Sequence, residues 1–181
     1  MIFSLVSSVL RRGTSAKKRP ARRVMLSLAV LGAAVFLQGT ALAEEAPDFT
    51  LRDLAGREVR LSSFKGKQPV LLAFSASWCP YCRRQAPKVV ALRNELKEEE
   101  IAILGVNQKE SRDRAAEFAE AFELNYPTLL DKNGAVSDRY EVEGIPYFVL
   151  IDRNGQVRAT GHDVGGLRGD IRAVVGKKSG E

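Results

Sequence analysis

The sequence predicts an α/β fold in which a central sheet is flanked by helices. A nearly continuous apolar run at residues 69–76 is typical of a buried central strand. Helical and strand-like patterns then alternate to residue 175, and this alternation favours parallel pairing within a mixed sheet. With 181 residues, 45% of them hydrophobic, the chain has the size and composition of a protein with one core.

A short hairpin is predicted before the central strand. Apolar and polar residues mix over residues 49–51 and alternate over 59–61, and Ala55-Gly56 between them is a turn signal. The segment 62–67 that follows is predicted to be a polar turn.

A helix is predicted to begin at Cys79, directly after the central strand. Pro80 favours this position because the first helical turn leaves its backbone nitrogens without helical partners. Apolar residues continue at helical spacing to Leu96, Pro87 is expected to kink the helix, and the charged residues 97–100 end it.

The rest of the chain predicts further strands and helices. The strands are 101–106, 128–130, 147–151 and 156–160, the last two joined by a turn at 153–155, and the helical segments are 111–124, 135–140 and 167–175.

Residues 1–43 are predicted to be an export signal that is cleaved after Ala43. They contain basic residues from Arg11 to Arg23, then an apolar run at 24–37, then small residues at 41–43. The run has 14 residues, whereas a membrane-spanning helix needs about 20. Counting on to Ala43 reaches that length, so an uncleaved anchor in the inner membrane is the alternative. Either leader predicts a periplasmic or other extracytoplasmic location.

The mature part is predicted to be one domain over residues 44–176, followed by a flexible tail at 177–181. The formal charge of +6 belongs to the leader, which has seven basic and no acidic residues and leaves 21 basic and 22 acidic residues elsewhere. Nucleic acid is therefore not expected as a partner, because its phosphates require a basic surface.

The two cysteines, Cys79 and Cys82, are expected to act chemically. A bridge between residues three apart closes too short a loop to stabilise a domain strongly. A zinc site needs four ligands, and His162 is the one other soft or imidazole ligand in the sequence, so no metal and no cofactor are predicted. His162 is expected to be solvated or locally hydrogen-bonded.

Thiol-disulfide exchange requires a thiolate, and the unpaired N–H groups at a helix N-terminus favour negative charge on sulfur. Cys79, at the expected exposed end of the helix, is predicted to attack a disulfide and form a mixed disulfide. Cys82, one turn further and partly shielded, is predicted to resolve it.

Several segments together resemble the thioredoxin superfamily, and specifically its TlpA/ResA-like branch. They are Trp78-Cys79-Pro80-Tyr81-Cys82 with its flanks over 74–87, Gly144-Ile145-Pro146, the opening 47–51, the segment 61–67, and a βα unit inserted before residues 129–131.

The resemblance implies a thioredoxin-like fold and a cis peptide bond between Ile145 and Pro146. It also implies that the segment containing Ile145 and Pro146, together with Trp78, Pro80 and Tyr81, seats the substrate. Relatives in this branch reduce disulfides of exported proteins, among them apocytochromes before haem attachment, and a membrane thiol protein supplies their electrons. A reductant is therefore expected, and the membrane is a partner only through an uncleaved leader.

Two departures from the branch concern proton transfer. The acids usual in thioredoxins and in this branch are replaced by Ala73 in the central strand and Gln85 after the second cysteine. Glu141 or Glu143 is the candidate to replace them.

Two other functions stay open as alternatives. A thiol peroxidase of the peroxiredoxin type is disfavoured because Ala76 stands where those proteins have threonine. A copper-binding module is disfavoured because its C-x-x-x-C spacing is absent.

Overall fold

A five-stranded mixed sheet forms the centre of the computed structural model, which describes residues 44–98 and 100–176. The strands are β3 (Val70–Ser75), β4 (Ala102–Gln108), β5 (Thr128–Asp131), β6 (Tyr147–Ile151) and β7 (Val157–Gly161), in the spatial order β5-β4-β3-β6-β7. The β3, β4 and β5 strands run parallel, and β6 and β7 pair antiparallel. The predicted mixed α/β sheet is thus confirmed, with the 69–76 run as its central strand.

A separate hairpin precedes the sheet, as predicted. It pairs β1 (Thr50–Arg52) antiparallel with β2 (Glu58–Arg60). Asp53 holds the turn between them, because its carboxylate accepts hydrogen bonds from the backbone N–H and the side chain of Arg57, both at 2.8 Å.

The prediction of a polar turn over residues 62–67 was wrong at its start, where the structure has a 3₁₀ helix over Leu61–Phe64. Leu61 is buried in the core, and the next backbone N–H, that of Ser62, donates to the Asp48 carboxylate at 2.8 Å. These two contacts turn the chain into a helix, so the strand ends one residue earlier than predicted.

The described part of the chain has four α-helices in addition to the sheet. They are α1 (Pro80–Glu95), α2 (Arg112–Ala121), α3 (Ala135–Arg139) and α4 (Arg168–Gly176). Two of them end earlier than their sequence patterns predicted: α1 stops because Leu96 is already extended, and α2 stops shortly before Glu123, which has a φ of 49°.

The central strand has a hydrophobic cluster on each face. Val70, Leu72 and Phe74 face one cluster, which the hairpin, the 3₁₀ helix and Tyr140 complete. Leu71 and Ala73 face the other, which receives α1 and α4. A smaller third cluster contains both cysteines with Ala86 and Phe118, so the thiols pack among buried apolar side chains.

The predicted leader at 1–43 and the predicted flexible tail at 177–181 lie outside the described residues. Within residues 44–98 and 100–176, no helix is both long and apolar enough to cross a membrane.

Candidate functional site

Cys79 is the residue that begins helix α1. Its backbone is extended, with φ −86° and ψ 112°, and Pro80 is the first helical residue, as the sequence predicted. The Cys79 sulfur accepts a hydrogen bond from the backbone N–H of Cys82 at 3.2 Å. The sulfur therefore takes the place that a serine or aspartate oxygen usually has at a helix start. This bond satisfies one of the backbone N–H groups that have no partner within the helix.

Both cysteines are buried, and the expectation that Cys79 would be exposed was wrong. Cys79 is 3% exposed and Cys82 is 2% exposed. The reason is the segment before Pro146, because the backbone carbonyl of Ile145 accepts a hydrogen bond from the Cys79 thiol at 3.4 Å. An incoming disulfide therefore meets only a small part of the Cys79 surface.

Cys82 lies in the first turn of α1, in the third cluster with Ala86 and Phe118. Burial raises the pKa of the Cys82 thiol, and the hydrogen bond and charge of the adjacent Cys79 raise it further. The second thiol is therefore held in its protonated form while the first is positioned against an N–H donor.

The predicted substrate-seating residues lie around these thiols. Ile145 contacts Cys79, and the bond between Ile145 and Pro146 is cis, as the resemblance implied. Trp78 and Tyr81, on either side of Cys79 and Pro80, are 61% and 64% exposed. The fold thus brings all seven predicted site residues to one end of α1.

The positions of the missing acids are filled by groups that cannot take a proton. Ala73 is buried in the central strand, and the half-buried Gln85 accepts a hydrogen bond from the backbone N–H of Val164 at 3.3 Å. Glu141 and Glu143, the predicted replacements, are exposed.

Glu110 is a site residue that the sequence reasoning missed. Its carboxylate accepts hydrogen bonds from the backbone N–H and the hydroxyl of Ser77, at 2.9 and 2.5 Å, and from the side-chain amide of Asn107 at 2.7 Å. Ser77 is two residues before Cys79. The predicted parallel pairing of β3 and β4 could have indicated this contact, because it brings the carboxyl ends of both strands, and so Ser77 and Glu110, to one edge of the sheet.

His162 is exposed and hydrogen-bonded, as expected. Its Nδ1 lies 2.7 Å from the carbonyl oxygen of Pro146, so Nδ1 donates the proton of this bond. Its ring lies 5.3 Å from the ring of Tyr147. His162 therefore contacts the cis-proline and the first residue of β6.

Sequence comparison finds relatives that are named as oxidoreductases. Residues 42–160 match the AhpC/TSA family. The chain is 38% identical over 141 residues to the thiol-disulfide oxidoreductase ResA of Geobacillus thermodenitrificans, covering 75% of this chain and 80% of that protein. It is 33% identical over 126 residues to ResA of Bacillus subtilis, covering 68% of this chain and 70% of that protein.

Solved structures agree with these relatives. The thioredoxin domain of a thiol-disulfide oxidoreductase from Bacteroides vulgatus aligns with a TM-score of 0.67 at 27% identity, covering 74% of this chain and 96% of that one. A secreted disulfide oxidoreductase from Mycobacterium tuberculosis, described as homologous to Escherichia coli DsbE, aligns with a TM-score of 0.62 at 25% identity, covering 69% and 95%. The chain therefore belongs to the AhpC/TSA family of the thioredoxin superfamily, in its TlpA/ResA-like branch of thiol-disulfide oxidoreductases.

Proposed function

We propose that this thiol-disulfide oxidoreductase is exported and acts through Cys79 and Cys82 as a reductant of disulfides in exported proteins. The observation that supports this most directly is the hydrogen bond from the Cys82 backbone N–H to the Cys79 sulfur. This bond positions the Cys79 sulfur for attack on a disulfide. Burial keeps Cys82 protonated until it resolves the mixed disulfide.

The reaction has two exchange steps. The Cys79 thiolate attacks one sulfur of the substrate disulfide, which breaks that bond, forms a mixed disulfide and releases the other substrate sulfur as a thiolate. Cys82 then loses its proton and attacks the Cys79 sulfur, which frees the second substrate sulfur. Two electrons pass to the substrate, the two protons of the cysteine pair appear on its thiols, and Cys79 and Cys82 end as a disulfide.

The exposed rings and the cis-proline segment form the proposed substrate seat. Trp78 and Tyr81 offer apolar surface beside Cys79, and Pro80 is exposed between them. The Ile145 carbonyl, just before Pro146 in the segment that leads to β6, contacts the same sulfur from the other side. A substrate chain placed between these two sides would present its disulfide to Cys79.

The proposal includes the organisation of the whole chain. Residues 1–43 direct export or anchor the chain, residues 44–176 form the catalytic domain and 177–181 form a flexible tail. The Mycobacterium tuberculosis relative is described as secreted, which supports an extracytoplasmic location. The expected partners are disulfide-containing exported proteins, including apocytochrome c, and a membrane thiol protein that supplies electrons.

A trapping experiment tests the roles of the two thiols. The Cys82→Ser variant is expected to accumulate a mixed disulfide with a disulfide-containing protein, because the resolving thiol is gone. The matched Cys79→Ser variant is expected to form none. Both species are separated on non-reducing gels and identified by mass spectrometry. Equal trapping by the two variants would contradict these roles, and rapid peroxide consumption by Cys82→Ser would support the peroxidase alternative.

The direction of electron flow needs its own measurement. A two-electron potential toward about −270 mV is expected for a reductant, whereas an oxidant has a value near −120 mV. The potential follows from equilibration with glutathione or dithiothreitol buffers. A peptide disulfide with the haem-attachment sequence of an apocytochrome then tests the substrate, with a scrambled peptide as control.

A further inference from the structure

Two aromatic rings stand out on the surface beside the thiols. Trp78 and Tyr81 are the large apolar side chains that remain mainly exposed among residues 44–98 and 100–176. They are immediately before Cys79 and two residues after it. Covering them would remove a substantial apolar area from water, which favours association with a partner.

Two arginines nearby stack on aromatic rings, and one of these rings is that of Tyr81. The Arg84 guanidinium lies 4.1 Å from the centre of the Tyr81 ring, and the Arg83 guanidinium lies 5.0 Å from the centre of the Phe122 ring. Stacking of this kind orients a guanidinium and leaves its N–H edge available. Among the residues that the structure describes, neither arginine forms an ion pair with a carboxylate.

Arg83 and Arg84 directly follow Cys82 in α1. Arg83 is in the first turn of α1, where its backbone N–H donates to the Cys79 carbonyl at 3.2 Å. The uncompensated positive charge therefore lies at the end of α1 that carries the thiols. A substrate segment that lies across Cys79 and the exposed Tyr81 ring would reach the Arg84 guanidinium, which stacks on that ring.

We propose that Trp78, Tyr81, Arg83 and Arg84, together the aromatic-arginine surface, bind a protein segment in which acidic side chains flank the target disulfide. The inference rests on the proposed function, because exchange at Cys79 brings the partner's disulfide against this surface. Carboxylates pair with guanidinium groups in a two-pronged geometry, and the partner's apolar groups cover the two rings. The surface thus selects substrates by charge.

The cis-proline side of the site has the opposite charge. Glu141 and Glu143 are exposed in the segment that leads to Ile145. Acidic groups of a substrate would be repelled there and attracted to α1. The division of charge therefore orients the bound segment with its acidic flank toward Arg83 and Arg84.

A single-turnover experiment tests this selection. The full chain is first reduced and freed of reductant, then mixed with peptides that contain one internal disulfide flanked by Glu, Gln or Lys. Trp78, the single tryptophan of the chain, adjoins Cys79 and reports the reaction by fluorescence. At low salt the Glu-flanked peptide is expected to react about five-fold faster than the Gln-flanked one, and the Lys-flanked peptide more slowly. The difference should shrink in about 0.5 M salt.

Charge reversal makes the test specific. The Arg83→Glu/Arg84→Glu variant is expected to prefer the Lys-flanked peptide, a gain that an unfolded variant could not show. The matched control is Lys67→Glu/Lys97→Glu, which reverses two exposed positive charges that precede β3 and β4, at the sheet edge opposite to Cys79. It should keep the preference for Glu.

The outcomes separate the inference from the proposed function. Equal rates for all three peptides in the wild-type chain would overturn the charge selection and leave the thiol chemistry intact. Failure to reduce even the Gln-flanked peptide would overturn the proposed function. Binding of phosphatidylglycerol vesicles that depends on Arg83 and Arg84, without charge-dependent peptide reduction, would assign the surface to a membrane and overturn the inference.

Discussion

Glu110 and Asp131 are two carboxylates at the same edge of the sheet, and they make similar hydrogen bonds in different surroundings. Each carboxylate accepts hydrogen bonds from the backbone N–H and the hydroxyl of one serine, which is Ser77 for Glu110 and Ser137 for Asp131. Each also accepts one further N–H, from the Asn107 side chain for Glu110 and from the Val136 backbone for Asp131. Asp131 is 1% exposed, whereas Glu110 is half-buried.

The two carboxylates differ in what they join. Asp131 binds Val136 and Ser137, which are five and six residues further along the chain, and so it closes the local turn into α3. Glu110 binds Ser77, which is 33 residues away and directly precedes Trp78 and Cys79. The comparison indicates that Asp131 serves stability, whereas Glu110 holds the strand-to-helix turn that places the reactive sulfur.

The largest expected effect is the pH dependence of the resolving step, which shows whether either carboxylate takes part in proton transfer. Burial raises the pKa of Cys82, so its thiolate fraction should rise ten-fold per pH unit throughout the range below that pKa. Release of substrate from the mixed disulfide should therefore accelerate about a thousand-fold from about pH 6 to 9. Stopped-flow fluorescence of Trp78 measures this rate.

The same slope is expected in Glu110→Gln and in Asp131→Ala, because neither carboxylate has a hydrogen bond to Cys82. A shallow wild-type profile that becomes steep only in Glu110→Gln would instead assign the proton of Cys82 to Glu110.

The next effect is the loss of stability in Asp131→Ala. Removing this buried acceptor leaves the backbone N–H groups of Val136 and Ser137 and the Ser137 hydroxyl without their partner. The free energy of unfolding is expected to fall by about 3 kcal/mol, measured by urea denaturation. The rate of mixed-disulfide formation per folded molecule should stay near the wild-type value. A large loss of that rate would contradict the purely structural role of Asp131.

The smallest expected effect is that of Glu110→Gln on the first exchange step. The amide is isosteric with the carboxylate but has only one oxygen to accept hydrogen bonds from three donors. The hydrogen bonds to the Ser77 backbone N–H and hydroxyl are therefore expected to weaken. Mixed-disulfide formation should slow about ten-fold, while stability falls by about 1 kcal/mol. The exposed Glu117→Gln variant, which removes the same charge from α2, is the control. Equal rates in the two variants would show that Glu110 does not position Cys79.

Local sequence patterns predicted the parts of the fold that depend on nearby residues. The continuous apolar run predicted β3, and the proline after Cys79 predicted the start of α1. The cysteine pair also identified the end of the molecule at which the other predicted site residues meet. The family resemblance predicted the role of Ile145 and Pro146, because an Ile-Pro dipeptide alone does not distinguish a substrate-binding segment from an ordinary loop.

Features that depend on contacts between distant segments could not be predicted in this way. Cys79 is buried because Ile145, 66 residues further along, covers its sulfur. Glu110 meets Ser77 only after β3 and β4 pair, and a single glutamate after a strand has no distinctive pattern. Leu61 begins a 3₁₀ helix because the core receives its side chain, although its local pattern favours a strand.

The Cys79 sulfur at the start of α1 is also the atom that the proposed reaction modifies. In the reduced protein this atom accepts the Cys82 backbone N–H, and once it is bonded to another sulfur it can no longer become a thiolate, the form that accepts this hydrogen most strongly. The hydrogen bond that caps the first turn of the helix is therefore expected to weaken on oxidation and to strengthen again on reduction. Thiol chemistry and the order of the helix start are thus coupled, and the exchange rate of one amide hydrogen, that of Cys82, records the redox state of the protein.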